Sequence, residues 1–324
     1  MKYIILSSIF LFSISLSAQD CSKEILAQKP GTWKAGMKGS IVNVSAADLV
    51  KEKAVTAGIH KMVSSNYKPM GCQVLYSTVF GKSMVNGQTW IADPYYYSMY
   101  ILRFLCDQQS NDKTKYYVDH ATPTTVNISA NAIYSLNTLY AADLGDDFRG
   151  YLKLKQRPVK KDGYYFMGEE KVNYNSPIYE YRWLITYNDT LPFSNLNRKE
   201  YLLIQKKRLE KAVRENPGEK AYLDKYFKNI NDYLTKPETE LSKPAVCIWN
   251  DEERFEKFVE EGTKGSFIAI KPNLDYYRKK LPKSSPQFFT VVYKISKDDA
   301  VFEDNMEAIK KAVDFSTLKN MLGK

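Results

Sequence analysis

The chain has 324 residues, 44% hydrophobic and 26% charged, with 47 Lys and Arg against 37 Asp and Glu for a net charge of +10. That balance belongs to globular proteins; it excludes a solvating disordered chain, which lacks a core, and a polytopic membrane protein, which carries fewer charges. Tyrosine is the outlying count, at 25.

Met1-Lys2 precedes an apolar run over 4–16, and Ser17-Ala18-Gln19 offers small residues at a cut. A positive end, a short apolar stretch and a small-residue site read as a secretory signal peptide over 1–18. The run is too short to span a bilayer, which takes roughly 20 apolar residues in a helix. Cys21 raises the question of a lipid-modified terminus, but Asp20 stands where a lipoprotein peptidase wants a small residue and Ala18 where it wants Leu. Cleavage after Ala18 is expected; taking 18 residues from 324, and Lys2 from the charge, leaves 306 and +9. The expected localisation is periplasmic or secreted, with no integral membrane segment after cleavage.

After a polar lead-in, Ser45-Ala46-Ala47-Asp48 matches a capping box, and a helix is predicted to about residue 64. The period then changes to two. Strands are predicted over 71–80, 95–105, 116–133, 151–156, 164–167 and 178–187, each bounded by Gly, Pro, Asn or Asp. From Leu191 the pattern turns helical, with Asn197 as cap and Glu200 reaching back from the third position. This helix carries Arg198, Lys199, Lys206, Lys207, Arg208, Lys211 and Arg214. Asn216-Pro217-Gly218 breaks it, and Leu223, Tyr226, Phe227, Ile230, Tyr233 and Leu234 mark a second helix, predicting an antiparallel helical hairpin. A polar loop over 236–243 is followed by a strand over 245–249, a short acidic helix over 252–260, strands over 266–270 and 287–294, a helix over 303–312 and a capped last turn over 314–322.

The fold class expected from this order is α+β, an antiparallel β-sheet packed against helices with an α-rich C-terminal half. Beyond the signal peptide, a helix-plus-sheet region is expected over 19–190, and a helical hairpin with a mixed α/β region over 191–324, packed onto the first.

Export permits disulfides, and Cys21, Cys72, Cys106 and Cys247 allow three pairings. Cys72 and Cys106 sit at the outer ends of one predicted hairpin. Asn86-Gly87 is a two-residue turn signal, however, and a turn there sets Cys72 opposite Ile101. Cys106 then lies roughly 17 Å away, beyond disulfide reach. Free or buried thiols are expected.

Three stretches carry a resemblance: Leu191-Pro192-Phe193 running into Arg198-Lys199-Glu200-Tyr201-Leu202, Asn273-Leu274-Asp275-Tyr276-Tyr277 through Leu281-Pro282-Lys283 to Pro286-Gln287, and Val313-Asp314-Phe315-Ser316-Thr317-Leu318. Over 178–324 the chain resembles exported proteins of unknown function from Bacteroidetes-type Gram-negative bacteria. The resemblance implies a compartment and supplies no catalytic residues.

Catalytic constellations are sparse. His60 reads as a solvent-facing helix residue, and His120 follows Asp119 on a strand, where adjacent side chains point apart. No H-E-x-x-H, C-x-x-C or G-x-S-x-G occurs, and Gly81-Lys82-Ser83 lacks the earlier glycine of a P-loop, Tyr76 standing there instead. Neither metal nor cofactor is expected. The acids at 146–147, 169–170 and 251–253 read as solvated loops, and Glu180 with Arg182 as an ion pair on one strand face.

The tyrosines, by contrast, are ordered. Over 178–187 one strand face reads Tyr179, Tyr181, Trp183, Ile185, Tyr187 and the other Ile178, Glu180, Arg182, Leu184, Thr186. Such a ladder is either a sheet face covered by helices or an amphipathic rim for a ligand. The expected function is a non-enzymatic binding or interaction module with an aromatic-lined site at Tyr179, Tyr181, Trp183 and Tyr187, beside Glu180 and Arg182. The alternative is a carboxylate- and tyrosine-dependent hydrolase of glycans or peptides. Expected partners are a glycan, a peptide or, through the basic helix and the basic runs at 153–161 and 278–283, an anionic envelope component; export argues against nucleic acid.

Overall fold

A computed structural model describes residues 21–36, 39, 41–81, 92–136, 138–142, 151–173, 175–248 and 254–324. The predicted signal peptide, the Asn86-Gly87 turn and the acids at 146–147 and 251–253 lie outside these.

The described chain opens with a short helix α1 (Lys23–Ala27), strands β1 (Thr32–Ala35) and β2 (Ile41–Val42), and the long helix α2 (Ala46–Asn66). Ser45 caps α2 as its sequence requires, its hydroxyl accepting the Asp48 N–H at 3.1 Å. The hairpin of β3 (Cys72–Gly81) and β4 (Tyr95–Cys106) follows, then β5 (Tyr116–Val118), β6 (Thr125–Ala130) and a one-turn 3-10 helix (Ile133–Ser135). Where one strand was predicted over 116–133, a break around Pro123 separates β5 from β6, since proline cannot donate to the ladder. Next come β7 (Thr138–Ala142), β8 (Tyr151–Leu154), β9 (Val159–Lys161), β10 (Tyr164–Asn173), β11 (Ile178–Ile185) and β12 (Phe193–Asn195). The helical hairpin is α3 (Arg198–Glu215) and α4 (Lys220–Leu234), and Asn197 and Glu200 complete a reciprocal capping box at its start. A short α5 (Glu238–Leu241), strands β13 (Val246–Ile248), β14 (Ser266–Pro272) and β15 (Phe289–Ser296), and helices α6 (Ala300–Ala312) and α7 (Phe315–Met321) close the chain.

This order corrects the expected fold class. The molecule is mixed α/β with two sheets, and its C-terminal half is not α-rich. The larger sheet runs β1-β3-β4-β6-β15-β11-β10-β9, with β2 and β5 pairing alongside β3 and β4. Its β1 and β2 lie parallel to β3, so it is not purely antiparallel. The smaller sheet runs β12-β14-β8-β7, with β13 beside β14. The C-terminal half therefore supplies strands to both sheets. Of those strands, β12 has three residues, too few to show a period of two in sequence, whereas β13 falls inside the strand predicted over 245–249. The acidic helix predicted at 252–260 is absent from its described residues: Phe255 and Phe258 are buried, and Phe258 bridges Cys247 as a strand would.

Three apolar clusters fix a four-layer stack. In the first, Ile59 and Val63 of α2, Met306 and Ile309 of α6 and Leu318 of α7 meet Val74, Tyr97, Met99, Ile128 and Val291 of the larger sheet. A second joins the two sheets through Met167, Leu184, Leu152, Leu154, Ile268 and Phe288. The third packs Leu202 and Leu209 of α3 and Leu223 and Ile230 of α4 onto Tyr151 and Phe267 of the smaller sheet. The sequence of layers is helices, larger sheet, smaller sheet, helices. No helix among the described residues is long and apolar enough to cross a membrane.

In the hairpin Cys72 pairs with Arg103, two residues along from the expected Ile101. An even shift leaves every side chain on its predicted face. Cys106 is bonded instead to Cys21, with the Cα atoms 5.8 Å apart, and Cys72 and Cys247 are free and buried.

Candidate functional site

Alternation along β11 divides the predicted site residues between two faces of the larger sheet. Tyr179, Tyr181 and Trp183 lie half-buried on the face beneath α6 and α7. Phe315 of α7 stands edge-on to Trp183, with ring centroids 5.5 Å apart, and to Tyr164 at 5.1 Å. Lys297 sits over Tyr179 at 4.3 Å and Lys310 over Tyr181 at 4.9 Å, and the Tyr181 hydroxyl donates to Glu169 at 2.9 Å. The chain's own cations thus occupy these ring faces. Tyr187 lies beyond the strand end, with Arg278 3.9 Å above its ring and its hydroxyl 3.3 Å from Gln287 Oε1. Because Phe315 is what holds α7 against the ladder, Phe315→Ala is expected to cost about 2–3 kcal/mol in urea denaturation.

Glu180 and Arg182 face the opposite way, where register assembles a different surface. Ser77, Ser98, Asn127, Val292 and Arg182 are successive cross-strand partners on β3, β4, β6, β15 and β11; Leu75, Tyr100, Thr125, Lys294 and Glu180 form the adjacent row. Paired residues share a face, so the two rows make one patch roughly 20 Å across five strands. A third row, through Tyr96, Ser129 and Thr290, runs under the 3-10 turn: the Ser129 hydroxyl lies 2.5 Å from that of Thr290 and 3.2 Å from that of Ser135. There the inter-sheet core begins and the patch ends against a wall. Arg182 ties patch to wall, with Nη1 donating to the Ser135 carbonyl at 3.2 Å and Nη2 to Glu180.

Among the described residues, the inter-sheet cluster takes Met167 and Leu184 from β10 and β11 and no residue of β3, β4 or β6. Across those strands Ser77, Ser98, Thr125 and Asn127 are half-buried, and their side chains make no hydrogen bond among the described residues. Tyr100 is 37% exposed. Lys294 has no ion-pair partner among the described residues. This is a floor of solvent-accessible hydroxyl and amide groups with a tyrosine at one side and a lysine at the other.

A second concavity surrounds the disulfide. Two cavities of about 390 Å³ lie on either side of Cys21, with Phe104, Tyr117 and Gln108 lining one and Tyr116 and Lys29 the other. Its base holds a closed set of charges: Arg103 bonds Asp299 at 2.8 Å and Asp119 at 3.3 Å, and Lys23 pairs with Asp299 at 3.3 Å. These four neutralise one another, while Lys29 in the second cavity sits 4.7 Å over the Tyr116 ring.

Groups suited to bond-making chemistry are engaged elsewhere. His60 is not solvent-facing: its Nδ1 lies 2.8 Å from the Tyr97 hydroxyl, its ring stacks on Tyr76 at 4.1 Å, and burial pushes its pKa down. His120 is exposed, while Asp119 serves Arg103 and the Ala121 N–H. Burial pushes the Cys72 and Cys247 thiols up to about 12, so neither forms a thiolate nucleophile at neutral pH. Among the described residues no group of three or more His, Cys, Asp or Glu could hold a metal ion.

Alternation along β4 puts Tyr96, Ser98 and Tyr100 on one face; what no local pattern contains is that this face lies away from α2, α6 and α7. The chain matches no family model, no curated protein and no solved structure.

Proposed function

We propose that the protein is an exported, non-enzymatic binding module that holds a glycan on the face of its larger sheet opposite α2, α6 and α7. The supporting observation is the row Ser77, Ser98, Asn127 beside Tyr100: hydroxyl and amide groups without protein partners, next to an exposed ring. A sugar offers the matching hydroxyls and an apolar ring face for stacking. A peptide is the poorer match, because extended peptides gain affinity by adding a strand to a sheet edge, and this surface lies in the sheet interior. The Cys21–Cys106 bridge suits an oxidising compartment, and a sulfur in a disulfide is not available for a lipid thioether.

An envelope contact through the basic segments has less behind it. On α3, Lys199 pairs with Glu238 and Lys211 with Glu215; in the 153–161 run Lys153 is buried, Lys155 pairs with Glu170, Arg157 with Glu261 and Lys160 with Asp189.

Screening against glycan and peptide arrays, with hydrolysis assayed in parallel, tests the reading. The expected result is glycan binding without turnover, weakened about ten-fold or more by Tyr100→Ala and left unchanged by Tyr181→Ala on the helix side. Turnover of any array compound, or binding confined to peptides, overturns it.

A further inference from the structure

The same face also carries a charge, that of Lys294. Lys294 projects from the same row as Tyr100, two strands away, a separation of roughly 10 Å that one or two sugar rings bridge. Of the charged side chains in the two rows, Arg182 and Glu180 are bonded to each other, and on β10 the next carboxylate, Glu170, is bonded to Lys155. Lys294 forms no ion pair among the described residues, because its cross-strand neighbour Glu180 is held by Arg182. It is half-buried in a sheet face, where a partly desolvated ammonium gains more from an anion than it does in open water.

Resting on the glycan-binding reading of this face, we propose that its ligand is an acidic glycan, a chain of uronate sugars, with one carboxylate against Lys294 while a neighbouring ring stacks on Tyr100. Thr125 lies between those two anchors, and it meets the sugar hydroxyls together with Ser98 and Asn127 in the adjacent row. Arg182 stays with Glu180 and Ser135, and holds the wall against which the chain lies.

The test uses hexamers of galacturonate, guluronate and glucuronate, each beside its carboxyl-methylated counterpart, which loses the charge and gains one methyl group per ring. Titration calorimetry on the wild type is expected to show at least one acidic hexamer binding about ten-fold tighter than its methyl ester, with the advantage shrinking as salt rises. Lys294→Met removes the charge and keeps the stem, and is expected to abolish the difference while the ester binds as before. Lys207→Met, on the exposed side of α3, should leave the difference intact, which separates a local contact from attraction to the chain's net positive charge. Equal affinity for acid and ester in the wild type, or a preference that survives Lys294→Met, overturns the acidic assignment and leaves glycan binding standing. Failure of every glycan, acidic or neutral, to bind overturns both.

Discussion

Cys21→Ser together with Cys106→Ser is expected to lower stability by about 4–5 kcal/mol, the chain entropy released when a closed loop of this length opens in the unfolded state. The two cysteines stand 85 residues apart, and the loop between them contains α1, α2 and the β3–β4 hairpin, a large part of the first core. In the native state the bridge also fixes α1, which has only five residues and buries Leu26 while Lys23 reaches Asp299. Urea denaturation of the oxidised wild type, the reduced wild type and the double variant measures the effect. The reduced and double-variant midpoints should coincide well below the oxidised one. A loss under about 1 kcal/mol would mean that α1 and its neighbours are ordered in the unfolded ensemble with or without the bridge. Free-thiol counting on the oxidised protein should find Cys72 and Cys247 unreactive until the chain unfolds, since both are buried.

A second large effect is tied to pH. Glu52 of α2 is fully buried: its Oε2 accepts the Gly81 N–H at 3.0 Å, and its Oε1 has no hydrogen-bond partner among the described residues. Burial, reinforced by the neighbouring Asp93 and Asp48 carboxylates and opposed by the Gly81 N–H, pushes its carboxyl up to about 7. In an unfolded chain the same group titrates near 4.5. The folded state therefore holds this proton more tightly, and the stabilisation is complete below about pH 4.5, declines as pH rises, and is gone above about pH 7, a swing of about 3 kcal/mol. Glu52→Gln keeps an acceptor for the Gly81 N–H and cannot ionise. It is expected to be more stable than wild type by about 2–3 kcal/mol at about pH 8, to match it within about 1 kcal/mol near pH 4.5, and to lose the downward slope between those values. Denaturant midpoints across that range decide the matter. Parallel profiles for variant and wild type would remove Glu52 as the source of the pH dependence.

Much of the secondary structure was legible because its determinants are local. Ser45 and the Asn197–Glu200 pair announce helix starts through groups within three residues, and both caps form. The buried set Tyr95, Tyr97, Met99 and Ile101 follows from alternation alone. Register is less local: the Cys72–Arg103 pairing depends on the connection between β3 and β4, and the two-residue turn read at Asn86-Gly87 gives a pairing two residues away. The architecture was not legible, since it depends on which strands meet. A three-residue strand such as β12 carries no period, and the buried pair Phe255 and Phe258 at a spacing of three mimics a helix face. The candidate site shows the same limit. Glu180 and Arg182 were recognised as an ion pair, and they are one. Their neighbours Asn127, Tyr100 and Lys294 are 53 to 114 positions away in sequence and are brought beside them only by strand order.

Strand order also decides when the molecule can fold. In the larger sheet β15 lies between β6 and β11, hydrogen-bonded to both, although it begins only at Phe289. A ribosome makes the chain from the other end, so β6 and β11 must each wait, one edge open, until most of the protein has been synthesised. The nascent chain can form hairpins and helices before then, but not the continuous sheet or the first core that depends on it. A truncation before β15 leaves two unsatisfied strand edges of the kind that drive aggregation.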